Sequence, residues 1–231
     1  MIKNMFMKNK RIIIGIMLIA IGVILRITLH GNLPASPSVF ITINGITQPM
    51  FMLDLFFVVA IISLLSGIIL GGYYTFIIPI SIMAISDIII GQTWILLFVW
   101  SGFAIIGLIG YIMKKKNILS IKRTPTILGL GVGSILLYDI WTNFGTWLGG
   151  PQWGYTYTWS GLALCYTKAL PFMFWHLLST TIAIALIIIP VVYLKEHKLK
   201  LPEFTINPIE RHVTIAVPAI LMIIAIIMVF A

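Results

Sequence analysis

The sequence predicts an all-α, polytopic membrane bundle with its N-terminus in the cytoplasm, and three observations carry that expectation. Of 231 residues, 60% are hydrophobic and only 9% are charged, whereas a soluble domain carries about 25% charged residues. Mean hydropathy is +1.11, so lipid must be the solvent for most of the surface. Thirteen of the fifteen basic residues fall in three clusters beside apolar stretches. In a soluble protein a net charge of +9 would suggest nucleic acid. Here the clusters sit where they set membrane orientation, and no nucleic-acid partner is expected.

A helix needs about 20 apolar residues to cross hydrocarbon, and seven stretches approach that length: 11–29, 51–70, 73–91, 93–113, 124–144, 168–194 and 212–231. The first, behind Met1–Arg11, has Arg26 directly after its apolar run and no small-residue cleavage site, so it reads as a retained helix rather than a signal peptide. Gly71-Gly72 and Gly91-Gln92 divide neighbouring spans as tight turns. Lys3, Lys8, Lys10 and Arg11 precede the first span. Lys114, Lys115, Lys116, Lys122 and Arg123 follow the fourth, and Lys195, Lys198, Lys200 and Arg211 follow the sixth. Seven spans put all of these on one side, and the positive-inside rule makes that side cytoplasmic in a multi-pass cell-membrane protein. The organisation expected is a transmembrane domain over 1–195, then a cytoplasmic loop and an additional helix over 196–231.

The opposite side is different in character. Segment 30–50 holds no lysine, arginine, aspartate or glutamate, and segment 145–167 is rich in Trp, Tyr, Gly and Thr. Both are long for connections, and long ordered loops tend to be functional. Near these loops lie the charges that the basic clusters do not absorb: Arg26, Asp54, Asp87, Asp139 and Lys168. Glu196, Glu203 and Glu210 are assigned to the last cytoplasmic loop. Charges within the bilayer are costly and normally pair or line a wet cavity, so the five are expected to share a polar pocket at one depth. The bland alternative is that each snorkels to the interface or caps a helix end. All seven tryptophans map to the same half, although an aromatic belt would populate both interfaces. Flat apolar walls with polar tips suit a ring-containing ligand; packing of an outer cap is the competing reading.

Other motifs carry less. His176 lies about one turn into the sixth span and reads first as a hydrogen-bonding core residue. Cys165, the one cysteine, excludes an intramolecular disulfide and any multi-cysteine metal site. Pro171 fits a first-turn proline. Gly129/Gly133 and Gly67/Gly71 have the small-xxx-small spacing of close helix packing. No Walker motif, HExxH, paired-acid run or nucleophile–base spacing is present. No catalytic residue, metal or cofactor is therefore expected.

The stretch IMAISDIIIG (82–91) resembles the SD-x-x-x-G signature of the third helix in substrate-binding (S) components of energy-coupling-factor transporters. YDIWTNFGTWLGG (138–150) and YTYTWSGLALCYTKALPF (155–172) are similar to motifs of a poorly characterised branch of that superfamily. The resemblance covers roughly 1–195. It implies a six-helix binder of a vitamin-like micronutrient, with an extracellular pocket formed by the 30–50 loop, Asp87, the Tyr138–Trp147 stretch and the 153–168 loop. It also implies docking to a transmembrane coupling subunit driven by ATPases. Span 212–231 adds a seventh helix, and Gly15 and Gly22, with Ala20 nearby, stand where such proteins carry an A-x-x-x-A docking pattern.

The function expected is thus capture of a small organic nutrient on the extracellular side, by a subunit embedded in the lipid bilayer that relies on partner coupling and ATPase subunits for energy. Polar contacts would come from Arg26, Asp54, Asp87, Asp139, Asn143, Lys168 and His176, and stacking from Trp141, Trp147 and Trp159. The alternatives are a proton-coupled secondary transporter using Asp87 and Asp139, and a membrane-embedded enzyme.

Overall fold

A computed structural model describes residues 2–30, 32–33, 40–43, 46–49, 55–91, 94–197, 204 and 206–230. The chain forms α1 (Ile2–His30), α2 (Phe56–Leu65), α3 (Tyr74–Ile90), α4 (Leu96–Lys115), α5 (Thr124–Leu148), α6 (Trp159–Ala183), α7 (Ile189–His197) and α8 (Pro208–Phe230). A π-helical turn, Ser66–Leu70, prolongs α2, and another, Ile184–Ile188, joins α6 to α7 without a break. Five of the resulting runs are long and apolar enough to cross a membrane; Phe56–Leu70 and Tyr74–Ile90 are shorter apolar helices. The architecture is the all-α polytopic bundle that hydropathy predicts.

Two boundaries differ from expectation. The sixth helix begins at Trp159 rather than 168, because the Thr158 hydroxyl caps it by accepting from Gly161 N–H at 3.1 Å. Pro171 consequently lies inside α6, not in its first turn. Between α1 and α2 the segment expected to be a loop holds a short antiparallel hairpin, β1 (Phe40–Ile43) with β2 (Ile46–Pro49), Ile43 opposite Ile46. Its sequence signal is Asn44-Gly45 between alternating residues.

α2 is apolar on all sides and buried along nearly its whole length, as a helix at the centre of a bundle must be. It meets α4 backbone to backbone. A Cβ on Gly67 would lie 2.2 Å from the Gly107 carbonyl oxygen, and one on Gly110 would lie 2.4 Å from that of Leu64. In lipid, small residues let dispersion contacts form along such seams. Gly129 and Gly133 do not act this way: nothing lies within 4 Å of a Cβ at either position, and Gly131 between them faces Ile184 instead. Gly15 and Gly22 turn inward, against Tyr74 and Ile82 of α3. The lipid-exposed face of α1 carries Ile12, Ile13, Ile16 and Met17.

At the lysine-rich end the α2–α3 turn passes through Gly71 (φ +66°) and Gly72 (φ +59°), a backbone conformation that side chains disfavour. Arg11 donates to the Gly71 carbonyl at 2.8 Å and pairs with Glu210 at 2.6 Å. Glu210 is therefore not a loop residue. It occupies the first turn of α8, buried, behind a cap in which Asn207 Oδ1 accepts from its N–H at 2.7 Å. α8 then packs along α4, with Ala225 set against Phe98 and Leu148.

Candidate functional site

At the end opposite the lysines, the helices that meet at glycines are lined instead by rings. Phe56 of α2 stacks on Phe103 of α4, centroids 5.3 Å apart, and both contact Tyr138 of α5, at 4.7 and 4.8 Å. The gap beside them is a cavity of about 170 Å³ whose wall includes Arg26, Phe56, Met83, Phe103, Tyr138 and His176. Helices α1 to α6 all contribute to it or to its immediate backing.

Arg26 enters from α1. Its Nη1 lies 2.6 Å from Asp87 Oδ1 and also donates to Ser86 Oγ, so adjacent residues of α3 hold one guanidinium nitrogen. The second Asp87 oxygen accepts from Trp100 Nε1 at 3.0 Å. Both carboxylate oxygens are thus occupied, and α1, α3 and α4 are tied together beside the cavity. Among the described residues, the hydrogen bonds of Arg26 run through Nη1 alone.

His176 enters from α6, its ring stacked on Phe56 with centroids 4.1 Å apart. Its Nδ1 lies 2.6 Å from Asp139 Oδ1. The other Asp139 oxygen is buried without a hydrogen-bond partner among the described residues. Leaving such an atom unpaired costs about 1–3 kcal/mol, so this pair is held under electrostatic tension.

Arg26 and His176 therefore line the cavity, while Asp87 and Asp139 stand directly behind them as counter-groups. The remaining expected residues are elsewhere. Trp141 donates to Ser101 Oγ at 2.8 Å and lines a separate apolar groove with Ile105, Phe144 and Met222. Asn143 donates back to the Asp139 carbonyl, and its own carbonyl accepts from Cys165 Sγ. Trp147 donates to the Thr156 carbonyl at 2.9 Å, pinning the turn after α5. Trp159 is 87% exposed at the start of α6. Lys168 is also exposed, and its ammonium lies 5.7 Å from the centre of the Tyr155 ring. Burial raises the Tyr155 phenol above its ordinary pKa, with Cys165 adding to the shift.

The later start of α6 was not foreseen, and it explains the misplacement of Lys168. Lys168 lies eight residues before His176, about 12 Å along the axis at helical rise. Lys168 therefore lies apart from the cavity, and Asp54 falls outside the described residues. Sequence reasoning missed Phe56, Phe103 and Trp100. Only Ser86 and Tyr138 carried a signal, each being adjacent to an aspartate already singled out.

The model for a family of unknown function, DUF6580, matches residues 6–203. The chain belongs to that family. The part matched by DUF6580 contains every residue that lines the cavity, and it ends before α8 and Glu210. No curated protein and no solved structure matches the chain.

Proposed function

We propose that this membrane protein is a substrate-capture subunit, binding a small organic micronutrient on the extracellular side and drawing energy from a partner coupling subunit with ATPases. The observation that carries the reading is the cavity between Arg26 and His176, walled by Phe56, Phe103 and Tyr138. A concave apolar site with a few convergent polar groups is the usual form of a small-molecule site. The resemblance of 82–91 and 138–172 to energy-coupling-factor S components supports the same reading. Gly15 and Gly22 are used up against α3, so docking to a coupling subunit would have to use the isoleucine-rich face of α1 rather than these glycines.

The test is mass spectrometry of small molecules released from protein purified in mild detergent, beside an unrelated membrane protein handled identically. One ring-bearing compound enriched near stoichiometry is expected. A profile indistinguishable from the control would sink the proposal.

One observation favours a second reading, a proton-coupled transporter: the Asp139 oxygen beside His176 that has no hydrogen-bond partner among the described residues. Asp87, already bonded at both oxygens, is the poorer proton carrier. Uptake of the compound identified above would then collapse when the proton gradient is dissipated with ATP maintained. An ATP-energised capture subunit would be insensitive to that treatment.

A further inference from the structure

Among the described residues, the wall of the cavity offers donors and rings but no carboxylate. Asp87 lies behind Arg26, and Asp139 behind His176. Arg26 spends a single nitrogen on its neighbours. A guanidinium carries five N–H donors in a planar fork suited to bidentate contact with a carboxylate. Because Asp87 and Ser86 both engage Nη1, the edge formed by Nη2 and Nε is left by the described residues for a ligand. Arg26 is 14% exposed at its side chain although α1 runs through lipid, and it borders the cavity.

Size narrows the ligand further. An apolar cavity of about 150 Å³ accepts one benzene molecule, and this cavity is about 170 Å³. It therefore has room for one ring and a small substituent. Phe56, Phe103 and Tyr138 wall the space for that ring.

We infer that the ligand is a single-ring carboxylic acid, its carboxylate held by the free edge of Arg26 and its ring among Phe56, Phe103 and Tyr138. This inference rests on the capture reading and names the chemical class that the site takes.

The experiment uses benzoate, benzamide and benzylamine, three probes of one shape and different charge, titrated into the purified full chain in detergent. Binding is read by calorimetry and by the shift in unfolding temperature. Benzoate is expected to bind roughly ten-fold more tightly than benzamide, the margin of a charge-assisted over a neutral hydrogen bond, and benzylamine most weakly. In the double variant Arg26→Gln/Asp87→Asn, which removes both charges together, benzoate should lose its advantage. Arg26→Lys keeps the charge but not the fork, and should weaken benzoate while leaving benzamide unchanged. Val99→Phe, which fills the cavity and spares both ion pairs, should abolish binding of all three.

Equal or tighter binding of benzamide or benzylamine to the wild type overturns the acid assignment and leaves the capture reading standing. Retention of the benzoate preference in the double variant, or undiminished benzoate binding in Arg26→Lys, also overturns the assignment. If none of the probes binds the wild type while a co-purifying compound is enriched over the control, the assignment alone falls; if that enrichment is also lacking, the capture reading falls with it.

Discussion

His176 Nδ1 sits 2.6 Å from one oxygen of Asp139, while the other oxygen of that carboxylate is buried with no hydrogen-bond partner among the described residues. The pair joins α5 to α6 directly behind the cavity wall. Replacing His176 by Phe leaves the ring volume but strips Asp139 Oδ1 of this contact. A loss of about 1–3 kcal/mol is expected, read as a lower unfolding temperature in detergent. Adding Asp139→Leu to His176→Phe should restore most of it, because an apolar substitute for a buried polar pair is often neutral or stabilising. A double variant no better than the single one would show that the pair is not under tension.

The Arg26–Asp87–Trp100 group gives a graded expectation. Trp100→Phe deletes one hydrogen bond to a carboxylate, worth about 1.5–3 kcal/mol. Asp87→Ala strands the guanidinium of Arg26 and should lose more, about 3–5 kcal/mol. A double-mutant cycle between Arg26 and Asp87 measures the coupling directly. Equal losses for Trp100→Phe and Asp87→Ala would contradict the geometry.

Glycines with the same sequence spacing should behave oppositely. Gly67→Ala drives a methyl into the backbone of α4, where the Gly107 carbonyl oxygen lies 2.2 Å from the Cβ position. A loss of at least about 1–3 kcal/mol follows from overpacking. Gly129→Ala meets nothing within 4 Å and should gain up to about 1 kcal/mol from helix propensity. Comparable unfolding temperatures for the two variants would refute the assigned seam.

Orientation is open to labelling because the native thiol, Cys165, is buried. Lys115 and Gln152 are exposed at opposite ends of the bundle. A membrane-impermeant maleimide should label Gln152→Cys on intact cells and reach Lys115→Cys only after permeabilisation. The reverse pattern would turn the cavity toward the cytoplasm and end the extracellular-capture reading.

Much of this fold was legible because apolar runs interrupted by glycine pairs and lysine clusters define spans with few alternatives. Arg26, Asp87 and Asp139 stood out for a similar reason: a charge in a hydrophobic helix is conspicuous and must be compensated. Their partners were harder to see. Ser86 and Asp87 are 60 and 61 residues from Arg26, and His176 is 37 from Asp139, so only tertiary packing brings them together. Phe56 and Phe103 had no contrast at all, being rings among other apolar side chains. Faces were obscured as well. The π-helical turn at Ile184–Ile188 holds one extra residue and swings later side chains about 100° round the axis. Periodicity read straight through α6 into α7 therefore assigns the wrong side.

The bond from Arg11 to Glu210 closes a circuit between α1 and α8. Synthesis proceeds from the N-terminus, so Arg11 is made long before its carboxylate exists. Until α8 packs, Arg11 lacks this partner and keeps its contacts with the Gly71 carbonyl and the Tyr74 ring. Docking of α8 supplies the carboxylate, so a helix made late secures one made early.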